Sequence, residues 1–290
     1  MDDRIKEMEN LVEEMSNELA ESFYQTIQVL SNIISIYDVY YDGSHSRFVS
    51  QKSAQIGQIL GMTETEIFEL KIAGLLHDIG KAGFNDIIWW KFPAEMTGNE
   101  YQKYIMHPII GKKILSSHKG FSTIGDIILQ HHERIDGSGF PNHLKGQEIS
   151  PQASIIAVVD TYHTSVYKKQ KQTENTQRFT SALAYLDSSN SRFVSTMNYL
   201  HKKRNILFDK TVVEVFTDII EAERKGLGEK TIMRLPITKL KTGMVIAEDV
   251  KTNYGLVLCY SGEELTDELI EALIKNSRWH EIPPKVLVMT

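Results

Sequence analysis

The sequence predicts a mainly α protein: a helical bundle with an N-terminal helix before it and a small β-rich C-terminal module after it. Three observations predict this. Apolar residues recur at steps of three and four up to about residue 222. Helix-capping signals punctuate that stretch. Beyond a break at 225–230 the pattern changes to short apolar runs between turn formers. At ~150 residues per domain, 290 residues suit about two domains. The expected division is an N-terminal helix over 1–36, a catalytic domain over 37–225 and the module over 233–290.

The first 36 residues read as one long helix. Ile5, Met8, Val12, Met15 and Leu19 step by three and four, with Glu and Asn between them. Two readings stand: a helix packed on its own domain, or a coiled coil that makes a homodimer and carries an input signal. Thr63 and Glu66 have capping-box spacing, and Gly80 is expected to close the helix that Thr63 opens. Ile67, Leu70, Leu75 and Leu76 are its apolar residues. His107-Pro108 opens another helix, since proline is tolerated in the first turn. Ser150-Pro151 opens a third, with Ile155, Ile156 and Val159 toward the core and Asp160 further along. The stretch DGSGFPN (136–142) is dense in turn formers and reads as a loop. Residues 187–205 are polar and weakly periodic, expected as a loop with one helix. Phe208 to Ala222 reads as a helix, with Val212, Val215, Phe216 and Ile219 on one side. Lys225 to Lys230 is the expected linker. Ile237, Leu240, Met244 to Ile246 and Leu256 to Leu258 read as short strands, joined at Lys241-Thr242-Gly243 and Asn253-Tyr254-Gly255. A helix from Thr266 to Lys275 and a strand from Val286 to Met289 follow.

Composition narrows the function. Acids number 38 and bases 32, a net charge of −6, which argues against a general DNA binder. No apolar run approaches the ~18 residues of a membrane span. The opening MDDRIKEMEN lacks an apolar signal core. The single cysteine, Cys259, excludes an internal disulfide. A cytoplasmic protein is the expectation.

Histidine is the unusual residue, because seven of the ten lie between His45 and His143. His77-Asp78 sits in LLHDIGK, where a helix is expected. Adjacent helical residues diverge by about 100°, which suits two nearby ions with the carboxylate spanning both. His107, His131-His132, Asp160 in AVVDTY and His45 in GSHSRF complete a set of five imidazoles and two carboxylates. That set is enough for two divalent ions. Imidazole with carboxylate suits Fe or Mn first, with Zn, Co or Ni next, and the lack of thiolates argues against a structural zinc knot. Taken singly, each residue is weak evidence. His118, His201 and His280 are expected as surface or capping residues.

Order, spacing and flanks together carry more. LLHDIGK, then Met106-His107-Pro108 with Gly111, then HHERIDGSGFP (131–141), then IIAVVDTY (155–162) resemble the HD-GYP family. That family is a branch of the HD-domain metal-dependent phosphohydrolases. The first block alone indicates only the broad HD superfamily; the long HHE block is specific. The resemblance covers about residues 25–222. From Leu235, LPITKLKTGMVIAEDV resembles a small β-rich module that accompanies such domains. The resemblance implies an HD-domain helical bundle around a metal cluster, and hydrolysis of cyclic di-GMP to linear pGpG or GMP. It implies His45, His77, Asp78, His107, His131, His132 and Asp160 as metal ligands, with Asp78 bridging. Lys81 is implied beside the scissile phosphate, and Arg134, Lys169 and Phe140 as substrate contacts. A diguanylate cyclase is the implied partner of loop 136–142.

The sequence departs from the family pattern in places. Tyr41 stands where some members carry a Glu ligand for a third metal, so two ions are expected; Asp42 is the nearby alternative. Phe140 replaces the tyrosine of Gly-Tyr-Pro and lacks its hydroxyl. His163-Thr164-Ser165 replaces a common Asp-Ala-Leu; His163 is open as an extra ligand, but one turn from Asp160 it is expected behind the ligands or in the core. Lys169 falls where an arginine is usual, keeping charge without a planar fork. Residues 187–205 look like an insertion able to cover the site. Two other functions stay open: a weakened relative that senses a cyclic dinucleotide or a partner, and an HD phosphohydrolase for another nucleotide.

Overall fold

The computed structural model describes residues 45–84, 91–117, 119–168, 182–228, 232–253, 257–259, 263–278 and 282–289, with 6–8, 10–12, 14–16, 18, 22, 26, 27, 30 and 31 before them. Those early residues are all helical. Met8, Leu11, Val12 and Met15 are exposed, whereas Ile27 is buried in the domain core. The Ser31 hydroxyl donates to the Leu75 carbonyl (3.2 Å). So the later turns pack on the domain while the earlier ones present apolar side chains to solvent. Ile5, Leu19, Tyr41 and Asp42 lie outside the described residues.

The domain then builds from helix ends. Helix α1 (His45–Ile59) packs on α2 (Glu64–Leu76). Thr63 caps α2 in the expected box: its hydroxyl accepts from Glu66 N–H and the Glu66 carboxylate accepts from Thr63 N–H. Gly80 does not close this helix. α2 ends at Leu76, and Ile79–Lys81 form a separate 3-10 turn. Glycine is required there for close approach instead, since a Cβ on Gly80 would lie 1.9 Å from the His107 carbonyl oxygen.

Next come α3 (Gly98–Ile105), α4 (His107–Leu115) with Pro108 in its first turn, and α5 (Ser122–Gln130). Helix α6 (Pro151–Tyr167) begins as expected, with Ser150 Oγ accepting from Ala153 N–H. It runs through the centre, and Ile155 to Asp160 are all buried.

The stretch 187–205, expected as a loop with one helix, is helix as far as Lys203: α7 (Ala182–Lys203) packs on α6, burying Met197 and Leu200. Helix α8 (Lys210–Gly228) extends into the expected Lys225–Lys230 linker as far as Gly228, and residues 229–230 lie outside the described residues. Val212, Val213, Phe216 and Ile220 join α8 to the core formed by Leu70, Ile72, Leu76, Ile127, Ile128 and Ile156.

The C-terminal residues build a second core. Strands β1 (Ile232–Pro236), β2 (Val245–Ile246), β3 (Val250–Lys251) and β4 (Val257–Cys259) precede α9 (Asp267–Arg278) and β5 (Lys285–Met289). One antiparallel sheet has the order β1-β5-β2, with Arg234 opposite Leu287 and Val245 opposite Met289; β3 pairs with β4. Ile246, Val250, Leu265, Leu273, Val286 and Val288 form its core. Ile237 and Leu240 are buried there but are not strand residues. Ile237 begins a 3-10 turn and Leu240 ends it. Tyr254, Gly255 and Leu256 of the second expected turn lie outside the described residues. Among those described, no helix is long and apolar enough to cross a membrane.

Candidate metal centre

Five helices deliver the polar side chains to one point, four of them at or near an end. His45 opens α1 and His107 opens α4. His77 is the residue after α2, with helical backbone angles, and Asp78 (φ −96°, ψ 7°) has left the helix. The pair is thus splayed by a helix end, not by two successive helical positions as the sequence suggests. His131 and His132 follow α5, and Asp160 projects from within α6. All seven are buried.

Two ligand sets share Asp78. One joins His45, His77 and Asp78; the other joins Asp78, His107, His131 and His132, with ligand atoms in each set within 4.8 Å of one another. Asp78 Oδ2 lies 3.6 Å from His77 Nε2, and Oδ1 lies 3.5 Å from His107 Nε2. Asp160 stands between the sets, with Oδ1 3.4 Å from His45 Nε2 and Oδ2 4.0 Å from His132 Nδ1.

The proton positions follow from the outer partners. His77 Nδ1 lies 2.9 Å from Gly74 O, His107 Nδ1 2.6 Å from Tyr104 O, and His131 Nδ1 2.6 Å from Ile128 O. A carbonyl only accepts, so each Nδ1 carries the proton and donates. In the neutral rings Nε2 is then a bare lone pair. His107 Nε2 and His131 Nε2 face each other at 3.3 Å with no proton to share. Beside them Asp78 Oδ1 is buried without a hydrogen bond. Facing lone pairs and an orphaned carboxylate oxygen make a donor set able to hold a cation, and its chemistry suits a divalent metal.

Electrostatics keep the donors in their ligating forms. Burial, then Lys81, pushes His107 well below the usual histidine range, and burial, then His77, brings His131 to about 4. Burial alone would raise the Asp78 carboxyl, but the Lys81 ammonium and the surrounding imidazoles hold it well below the carboxylate range. Burial likewise opposes Asp160 ionisation, and the imidazoles beside it, His45 first and then His77, overcome that and hold the carboxyl below its ordinary value. Lys81 Nζ donates to Asp78 Oδ2 at 2.6 Å, and despite burial that carboxylate raises its pKa.

The expected substrate residues fare differently. Lys81 reaches the centre. Phe140 lies at its rim, its ring 4.7 Å from that of His132. Arg134 Nη1 donates to Glu133 O (2.8 Å), and its guanidinium lies over the Phe208 ring (4.9 Å). Lys169 lies outside the described residues. His163 belongs to neither ligand set but is buried behind His45.

Sequence reasoning misses two residues of the site. The buried Glu133 carboxylate accepts from the N–H groups of Asn142 (2.6 Å) and Leu144 (3.1 Å), clasping the loop that carries Phe140. It is the third residue of the HHE block, which is its signal. Tyr104 has its hydroxyl 3.3 Å from His132 Nε2 and its ring 5.7 Å from Phe140. Its only signal is its place one turn before His107. Gly139 is fixed by the same loop: a Cβ there would lie 2.4 Å from Arg134 N.

The HD-domain family profile matches residues 28–195, more than half of the chain. The chain is 36% identical over 177 residues to a cyclic di-GMP phosphodiesterase of Thermotoga maritima, covering 59% of this chain and 48% of that one. It is 35% identical over 181 residues to the cyclic di-GMP phosphodiesterase response regulator RpfG of Xanthomonas campestris, covering 61% and 46%. It is 32% identical over 122 residues to a 3'3'-cGAMP-specific phosphodiesterase of Vibrio cholerae, covering 42% and 26%. The chain thus spans about half the length of the first two and about a quarter of the third.

Proposed function

Because the chain belongs to the HD-domain family, with the motif blocks of its HD-GYP branch, we propose that it is a metal-dependent phosphodiesterase that hydrolyses cyclic di-GMP to linear pGpG or GMP. The observation that carries this reading is the pair of unprotonated Nε2 atoms of His107 and His131 facing an orphaned Asp78 oxygen. Two divalent ions are proposed, one in each set, with Asp78 common to both and Asp160 between them. Iron or manganese fits the imidazole and carboxylate donors, with zinc, cobalt and nickel as the other candidates. Such ions, when bound, lower the pKa of water and offset charge on a phosphodiester.

The chain's own residues hold and complete that chemistry. Carbonyls of Gly74, Tyr104 and Ile128 fix three imidazoles as Nε2 donors. Lys81, held charged by Asp78, supplies a fixed cation for the phosphodiester oxygens and is unsuited to act as a base. Glu133 and Gly139 set the loop that brings Phe140 to the rim, where its ring can stack on a base. Arg134 is the weaker phosphate contact, since it already donates to the turn carbonyls.

The test is anaerobic purification, measurement of bound metal, and chromatography of cyclic di-GMP with added Mn(II) or Fe(II). Turnover is expected, and its loss by roughly 10³-fold or more in Asp78→Ala, from the several kcal/mol such ions supply. Tight nucleotide binding without product under every metal would make the chain a sensor. Faster cleavage of 3'3'-cGAMP, the substrate in the name of the Vibrio cholerae relative, would reassign the nucleotide. A homodimer through the N-terminal helix is also proposed, from exposed Met8, Val12 and Met15; sedimentation should show a dimer that becomes monomeric in Val12→Glu/Met15→Glu. A cyclase contact at loop 136–142 requires loss of pull-down when that loop is deleted.

A further inference from the structure

We propose that His163 is a positioning residue for the metal centre: its Nδ1 accepts the proton on His45 Nδ1 and thereby aims the His45 Nε2 lone pair at the first ligand set. The inference rests on the reading of the cluster as a metal centre and adds a residue outside both ligand sets.

The need arises from where His45 lies. His77, His107 and His131 each donate Nδ1–H to the carbonyl three residues earlier. His45 is the first described residue of α1 and follows a different pattern. Its Nδ1 instead meets His163 Nδ1 at 3.0 Å, across 118 residues of sequence. His45 Nε2 points the other way, 3.1 Å from His77 Nε2 and 3.4 Å from Asp160 Oδ1.

Two Nδ1 atoms at that distance share one proton. If His163 donated it, His45 would carry its own proton on Nε2 and could not ligate. Ligation through Nε2 therefore requires His45 Nδ1–H donating to His163, which then carries its proton on Nε2. Both rings stay neutral, and no charge is gained or lost by the pair. Aromatic neighbours hold the His163 ring in place, since the rings of Phe48 and Tyr167 each lie 4.7 Å from it. It is 3% exposed and sits one turn after Asp160 on α6, so one helix supplies both a carboxylate at the centre and the acceptor behind it.

Co(II) titration of the metal-free full chain tests this, with bound ions counted and the ligand-field spectrum recorded for wild type, His163→Phe and His163→Asp. Phe removes the acceptor and should weaken Co(II) at the His45 set by about 10–100-fold, the usual cost of losing an outer partner of a metal-bound histidine. Asp restores an acceptor and should bind at least as tightly as wild type. Wild-type affinity in His163→Phe, or equal weakness in both variants, overturns the proposal while leaving the metal centre standing. Failure of the wild type to bind Co(II) overturns the centre itself. Should His163→Phe not fold, ¹⁵N NMR of the Zn(II)-loaded wild type decides: a proton on His45 Nδ1 and on His163 Nε2 supports the assignment, and a His45 Nδ1 without a proton refutes it.

Discussion

The helical domain and the C-terminal module bury different kinds of side chain. At the centre of the first, His45, His77, Asp78, His107, His131, His132, Asp160 and His163 are all buried. The second closes over Ile246, Leu265, Leu273 and Val288; among its described residues Thr252, Cys259 and the side chain of a single carboxylate, Asp249, 3.8 Å from Lys251, are also buried. Desolvating ionisable groups costs several kcal/mol each unless they are paired or bind a metal. A domain keeps such a cluster for what it can bind, whereas the module is held by packing. The first variant should separate the two. Leu273→Ala empties a fully buried site and should cost the module about 2–5 kcal/mol, with metal content and turnover unchanged. Denaturant melts with metal analysis check it; loss of metal would show that the two cores are coupled.

Acid should do the reverse. His131 sits at about 4 in the folded chain, against an ordinary histidine value of 6.5. A depressed folded pKa means that the unfolded chain takes the proton first. The stability is therefore complete above pH 6.5 and is lost as pH falls toward 4. His45, His107, His132 and His163 shift in the same direction, all led by burial. His131 alone amounts to about 3 kcal/mol at 1.36 kcal/mol per pKa unit. Asp78 and Asp160, held below the usual 3.8, add a second loss beneath that pH. Hydrogen exchange of the metal-free chain should show amides of α2 and α6 losing protection between pH 6.5 and 4 while β5 keeps its own. Parallel losses in both regions would remove the distinction.

Gly80→Ala is a smaller strike at the helical domain. The added Cβ meets backbone, 1.9 Å from His107 O and 2.7 Å from Gly111 N. Backbone yields poorly, so a cost near the top of the ~1–3 kcal/mol overpacking range is expected. Because the contact joins the Asp78 turn to the His107 helix end, bound metal should fall as well. A stability loss with full metal content would mean that the two ends move together.

This contact also shows what a sequence conceals. The candidate cluster is legible because His77-Asp78, His131-His132 and Asp160 sit in local sequence blocks, and Thr63 and Ser150 announce their helices by capping spacing. Gly80 looks like a helix terminator, because a close approach between segments 27 residues apart leaves no local mark. The extent of helix α7 is hidden by serines and asparagines around Met197 and Leu200, which pack against α6. Ile237 and Leu240 read as strand residues because short apolar runs mark burial and do not distinguish a turn from a strand. His163 can be placed behind the ligands, but its partner His45 is 118 residues away, and only the fold joins them.

The smallest expected effect is at the rim. Phe140→Tyr adds one hydroxyl to a ring already 4.7 Å from His132 and 5.7 Å from Tyr104. The loop need not move, since Glu133 holds it through backbone N–H groups and not through the ring. The gain is therefore at most one hydrogen bond to the nucleotide, about 0.5–1.5 kcal/mol, or roughly a two- to twelvefold change in KM at 1.4 kcal/mol per tenfold. Bound metal and the pH dependence of stability should stay as in wild type, because the side chain is not a ligand. Steady-state kinetics on cyclic di-GMP and 3'3'-cGAMP, run side by side, measure it. An equal gain for both nucleotides would put the hydroxyl on their shared backbone, and a gain for one alone would make this position a determinant of base choice. A loss of metal would instead tie the rim to the centre and erase the boundary between packing and chemistry within the helical domain.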